Sequence, residues 1–149
     1  MQNFNSSVFR ICENNQELLI NNLIGNGFKV YTLNGKNISN VHNFFQEAIK
    51  VLPQDPPLGG RTNLDSFVDS IWGGMDEAGY DRVAIIWEKS NNIINKSPND
   101  LSKIVQCFEE LSDSFKTVEY GLDKPIILKV FLLGSGDAFY EDFKNTFEI

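Results

Sequence analysis

Three stretches of the chain are nearly continuous in apolar residues: FKVYTL at Phe28–Leu33, RVAIIW at Arg82–Trp87 and IILKVFLL at Ile126–Leu133. Each is short and rich in β-branched or aromatic residues, which predicts strands buried on both faces, as in a parallel sheet. Asn34-Gly35 and Gly134-Ser135-Gly136 supply turn signals after the first and third. Between the strands the period changes to that of a helix. Val41, Phe44, Phe45, Ala48, Ile49 and Leu52 predict a helix over Asn40–Leu52, with Ser39 or Asn40 as N-cap. Residues 62–74, TNLDSFVDSIWGG, carry a second stripe at Leu64, Phe67, Val68 and Ile71 that continues to Met75. Thr62 and Asp65 form a capping-box-like pair at its start. Leu101, Ile104, Val105, Phe108, Leu111 and Phe115 predict a further helix over Asn99–Phe115. Strands separated by helices indicate right-handed crossovers onto a small parallel sheet.

The remaining segments connect or flank this pattern. PQDPPLGGR at Pro53–Arg61 has three prolines and a Gly-Gly pair, so it predicts a shaped loop that delivers the chain into the next helix. Residues 1–27 offer a strand in SVFRICE and a helix over Gln16–Ile24, stopped by Gly25. DAFYEDFKNTFEI at 137–149 sets Phe139, Phe143 and Phe147 at helical spacing, which predicts a terminal helix. The expected architecture is one α/β domain over residues 1–149. It has a three-stranded parallel sheet with helices packed around it, an N-terminal extension at 1–27 and a C-terminal helical extension at 135–149.

Composition narrows what such a domain binds. The chain has 149 residues, enough to bury a core without disulfides or metal, and a net charge of −7. That charge argues against nucleic acid and against an anionic membrane, both of which select basic surfaces. It suits a basic protein partner. Cys12 and Cys107 are far apart and form no CxxC, so both are expected as buried thiols in a reducing compartment. MQNFNSSVFR lacks a basic start followed by an apolar run, and no apolar run approaches a membrane span. The expected location is therefore the cytoplasm, and the expected free state a monomer.

Few residues suggest chemistry. His42 is the sole histidine and has no nucleophile at motif spacing. Gly134-Ser135-Gly136 follows a strand, but no phosphate-loop motif surrounds it, and a turn after an edge strand is expected. The unusual feature is the helix from residue 62. Asp65 and Asp69 are four positions apart, which stacks them on one helix face about 5–6 Å apart between β-carbons, at a cost of a few tenths of a kcal/mol. Trp72 and Asp76 continue the stripe. A solvated face accounts for part of this, since Asp65 is favourable near a helix N-terminus. A metal site would need a DxDxDG pattern, and a general acid–base pair would need burial. Tryptophan beside the charges, after a rigid Pro/Gly loop, points instead to a recognition surface. No cofactor, metal ligand or catalytic residue is expected.

At these residues the chain resembles the barstar family, intracellular inhibitors of an extracellular ribonuclease. The likeness runs from Phe28 to about Gly134. LNGKNISNVHNF resembles the family's opening strand, turn and first helix, and NLDSFVDSIWG its inhibitory helix. VAIIWE resembles the second strand, and IVQCFEEL a later helix bearing an assisting acid. The resemblance implies that Asp65 and Asp69 are the principal inhibitory aspartates, Asn63 the asparagine that opens their helix and Glu110 the assisting glutamate. It implies an immunity function: carboxylates that mimic substrate phosphates and plug the cationic pocket of a toxic ribonuclease. The loop departs from the family, with Leu58-Gly59-Gly60-Arg61 where tyrosines stand. Gly60, Arg61 and Trp72 are thus expected to shape recognition here. A module of the same fold that binds another basic protein, and a small hydrolase using the aspartate pair, are the alternatives.

Overall fold

A computed structural model, described over residues 7–59 and 61–140, gathers four strands into one parallel sheet. They are β1 (Val8–Cys12), β2 (Lys29–Asn34), β3 (Arg82–Glu88) and β4 (Ile127–Gly134), in the order β1-β4-β3-β2. The last three are the strands predicted from the apolar runs. The first corrects the three-stranded sheet to four: the N-terminal segment, expected to flank the core, is an edge of the sheet itself. Val8 pairs with Val130, and the ladder runs to Cys12 opposite Gly134. Five residues hold too few alternations to reveal such membership, but the open edge of β4 offers a full row of backbone partners. β4 is in consequence an inner strand, and the Gly134–Gly136 turn ends an inner strand, not the edge strand expected.

Five helices connect these strands: α1 (Gln16–Gly25), α2 (Val41–Val51), α3 (Leu64–Ala78), α4 (Asn91–Lys96) and α5 (Pro98–Phe115). α4 was not predicted, because NNIINK is too short to show a helical period. Its use lies in its asparagines. Asn92 Nδ2 donates to the carbonyls of Gly35, Lys36 and Ile38, and Asn91 exchanges two hydrogen bonds with the backbone of Ser135. α4 thus ties together the segments that follow β2 and β4. The predicted terminal helix is not formed over its described part. Residues 137–140 make a turn that buries Phe139 and sets Tyr140 beside Ile11, while Phe143 and Phe147 lie outside the described residues.

The strands alternate side chains between two apolar layers. Val83, Ile85, Trp87, Leu128, Val130 and Leu132 face α2, α3 and α5. Ala84, Ile86, Phe131 and Leu133 face α1, joined by Phe9 and Ile11 of β1. Lys129, on β4, is buried with its ammonium over the Phe9 ring, 5.3 Å from the centroid. Burial, aided by the charge of Lys116, lowers its pKa. Both cysteines are buried and free. Among the described residues no helix is long and apolar enough to cross a membrane.

Candidate functional site

The outward face of α3 is set by what its inward face buries. Phe67, Ile71 and Met75 are buried, so the stripe containing Asp65 and Asp69 must point away. Aromatic packing locks this rotation. Phe67 meets Phe44 of α2 edge-on at 5.2 Å and Phe108 of α5 at 6.2 Å, and Phe44 stacks on Trp87 of β3 at 5.1 Å. Helix rotation therefore depends on residues from three other elements. The start of α3 is held by Asn63, whose side chain accepts from Ser66 N at 2.8 Å while Ser66 Oγ accepts from Asn63 N at 3.0 Å. The capping box is thus Asn63 with Ser66, one position later than the Thr62–Asp65 pair expected. Thr62 instead donates its hydroxyl to the Gly59 carbonyl, at 2.6 Å. The shift frees Asp65 from capping and leaves its carboxylate exposed in the first turn.

One flank of the acidic stripe is the proline loop. A side chain at Gly73 would run into the Asp55 carbonyl, and one at Gly74 into Pro53. The glycine pair lets backbone lie directly on helix. Ser70, buried on the same side, donates to the Pro56 carbonyl at 2.5 Å, and its own carbonyl accepts from Asp55 N at 2.9 Å. Gln54 closes the base by donating to Ile49 and Leu52 carbonyls and accepting from Leu58 N. Between loop and helix lies a depression of about 620 Å³, with Arg61 and Leu58 on one side and Ser66 and Asp69 on the other. Arg61 is exposed and forms no ion pair among the described residues. Gly60 lies outside the described residues.

The other flank is α5. Cys107 is buried at this contact, and burial pushes its thiol pKa up; the negative charges of Glu110 and Asp65 push it further. Glu110 of α5 and Asp65 of α3, 45 positions apart in the chain, thus both bear on one sulfur at the contact of the two helices. Glu110 is exposed and accepts only a long hydrogen bond from Gln106, at 3.5 Å. Trp72 is half-buried against the core, with the tip of its ring beside Gly121 in the loop that follows α5.

Asp65, Asp69 and Glu110 form no ion pair among the described residues. Three unpaired carboxylates fixed on neighbouring rigid helices are a ready acceptor array for guanidinium or ammonium groups. They are exposed, without the burial by which enzymes divide two carboxyls into acid and base. His42, exposed on α2, lies in a separate depression with Lys50 and Leu58. Among the described residues no three His, Cys, Asp or Glu side chains gather as a cation site. Sequence patterns did not indicate that Gly73, Gly74 and Ser70 seat the proline loop, or that residues after α5 reach Trp72. The paired glycines inside a helical stripe were the one available signal, since glycine there is costly without a packing reason.

No match is found among curated proteins. The family model described as Barstar (barnase inhibitor) matches residues 28–132, from the residue before β2 into β4. The acidic helix, the loop that precedes it and Glu110 all fall inside that span, and the chain belongs to the barstar family.

Proposed function

We propose that this chain inhibits a basic ribonuclease by lodging the exposed face of α3 in the enzyme's phosphate-binding cleft. One observation carries this: Asp65 and Asp69, held outward by the burial of Phe67 and joined by Glu110, have no ion-pair partner among the described residues. A ribonuclease cleft lined by Arg, Lys and His supplies the missing charges, and the repulsion stored between the aspartates is relieved on binding. Asn63 acts by positioning, since its side chain caps the helix. Trp72 and Arg61 border the stripe and adjust shape and rim charge. In this reading the protein acts in the cytoplasm of the producing cell and neutralises a toxic enzyme there.

The loop favours a restricted target. Gly59 and Arg61 cannot cover an enzyme surface as large aromatics do, and aromatic anchors commonly contribute a few kcal/mol each at interface centres. Barnase is expected to be inhibited poorly and a cognate enzyme tightly. The test is titration of RNA hydrolysis by barnase and by a panel of other basic ribonucleases, with wild type, Asp65→Ala and Asp69→Ala. Expected are one-to-one inhibition of at least one enzyme and losses of about 2–5 kcal/mol of affinity in each variant. Inhibition of none, or unchanged affinity in both variants, would refute the proposal. The second reading, a module that recognises some other basic protein, would then be favoured if binding to a non-nuclease still required the aspartates.

A further inference from the structure

The acidic stripe has a further neighbour besides the proline loop and α5. After α5 the chain makes a loop over residues 116–125 before entering the sheet. Its ends are closed by a hydrogen bond from Ile126 N to the Phe115 carbonyl, at 2.8 Å. Phe115, Leu122 and Ile126 anchor it in the core, at 0%, 5% and 3% exposure. The tip is ordered from within. Gly121 N donates to the Val118 carbonyl at 3.0 Å, and Glu119 N donates to Thr117 Oγ1 at 3.2 Å. Gly121 has φ +107°, a conformation that glycine adopts without strain, and the gap beside its Cα is closed by the Trp72 ring. A compact surface loop with joined ends and its own anchors is a frequent functional element.

What this loop displays is unusual for so small and ordered a tip. Val118 is 49% and Tyr120 is 64% exposed, with the carboxylate of Glu119 between them. Single exposed apolar residues need no explanation. Here two of them sit on a fixed turn whose Gly121 lies against the tryptophan of the acidic stripe. The turn thus presents two exposed apolar side chains next to the glycine that meets Trp72.

We propose that the 116–125 loop is a second arm of the partner-binding surface. Val118 and Tyr120 dock on an apolar rim beside the cationic cleft that receives Asp65 and Asp69, while Glu119 extends the acidic array. This rests on the inhibitory reading of α3. Continuity of the loop with the acidic helix, through Gly121 against Trp72, identifies the occupant as the same basic protein. Because the two turns order the tip beforehand, little side-chain and loop freedom is lost on docking. An aromatic such as Tyr120 supplies the anchoring that Gly59 cannot.

The two surfaces are separable by kinetics. Charge governs association and its salt dependence, whereas apolar anchoring governs dissociation. The experiment measures binding of wild type, Val118→Ser/Tyr120→Ser and Asp65→Ala/Asp69→Ala to barnase and to the ribonuclease panel, across salt concentrations. Thermal melts verify that the loop variant is folded, as expected for two exposed side chains. Expected for the loop variant is dissociation about tenfold faster or more, with the association rate and its salt slope unchanged. Expected for the aspartate variant is slower association with a shallower salt slope. A loop variant that matches wild type, while the aspartate variant is impaired, would overturn this inference and leave the inhibitory reading standing. Unimpaired binding by the aspartate variant, or no binding by wild type to any enzyme, would overturn the inhibitory reading and this inference with it.

Discussion

Cys107 reports on the site from beneath it. Its sulfur feels burial first, then Glu110, then Asp65. Each favours the protonated thiol, so the folded value lies above the unfolded one. The thiol's contribution to stability is therefore intact below the ordinary thiol range and is lost as pH climbs through the raised folded value. Neutralising Asp65 by Asp65→Asn removes one cause and is expected to bring the thiol titration down; Glu110→Gln is expected to do so more strongly. Thiolate ultraviolet absorbance against pH, in a Cys12→Ser background, measures it, and an unchanged curve in both variants would separate the two carboxylates from the sulfur. Stability at neutral pH should hold or rise by a few tenths of a kcal/mol in Asp65→Ala, because a like-charge neighbour of Asp69 disappears. The cost of this arrangement to the free protein is small.

α3 carries two glycines in its middle, where each lowers helix propensity by about 1 kcal/mol relative to alanine. Propensity alone predicts that Gly74→Ala stabilises. Geometry predicts the reverse, because the added methyl meets the backbone of Pro53 and Gln54, which cannot swing aside like a flexible side chain. Overpacking of this kind costs roughly 1–3 kcal/mol, so Gly74→Ala is expected to lower stability on balance and to displace the proline loop from the helix. A denaturant midpoint at or above wild type would show that the loop is free to move. Because that loop borders Asp69 through Arg61 and Leu58, the same variant is expected to weaken partner binding without touching any carboxylate.

At the scale of the molecule, the family match begins at residue 28, yet the sheet does not. β1 covers one edge of β4, and Phe9, Ile11, Leu19 and Leu23 cover the face that Phe131 and Leu133 present. Removing residues 1–27 would leave that face and edge bare. The truncated chain is expected to lose its cooperative denaturant transition and to bind a hydrophobic dye, as partly packed states do. A cooperative transition at the wild-type midpoint would make β1 and α1 accessory to folding. The net charge of −7 acts at this scale too, as a long-range field that favours encounter with a basic protein and fades as salt is added.

Local pattern was sufficient for β2, β3, β4, α2, α3 and α5, because each buries one face or both against a common core, and burial imposes a period that apolar residues must keep. It was sufficient also for the row of Asp65, Asp69 and Trp72, since helical spacing alone aligns them. It offered the strand at β1 and the helix at α1 but not the place of β1 in the sheet, which depends on an open edge supplied by residues more than a hundred positions away. It failed for α4, where asparagine side chains, silent in any hydrophobic period, tie two strand ends together. It put the α3 cap one residue early, because Thr62 and Asn63 are both competent caps and only the path of the incoming loop chooses between them. The grouping of Asp65 with Glu110 and of Trp72 with the loop after α5 belongs to tertiary structure. These residues lie on different elements, and the packing of Phe44, Phe67 and Phe108 decides how those elements face one another.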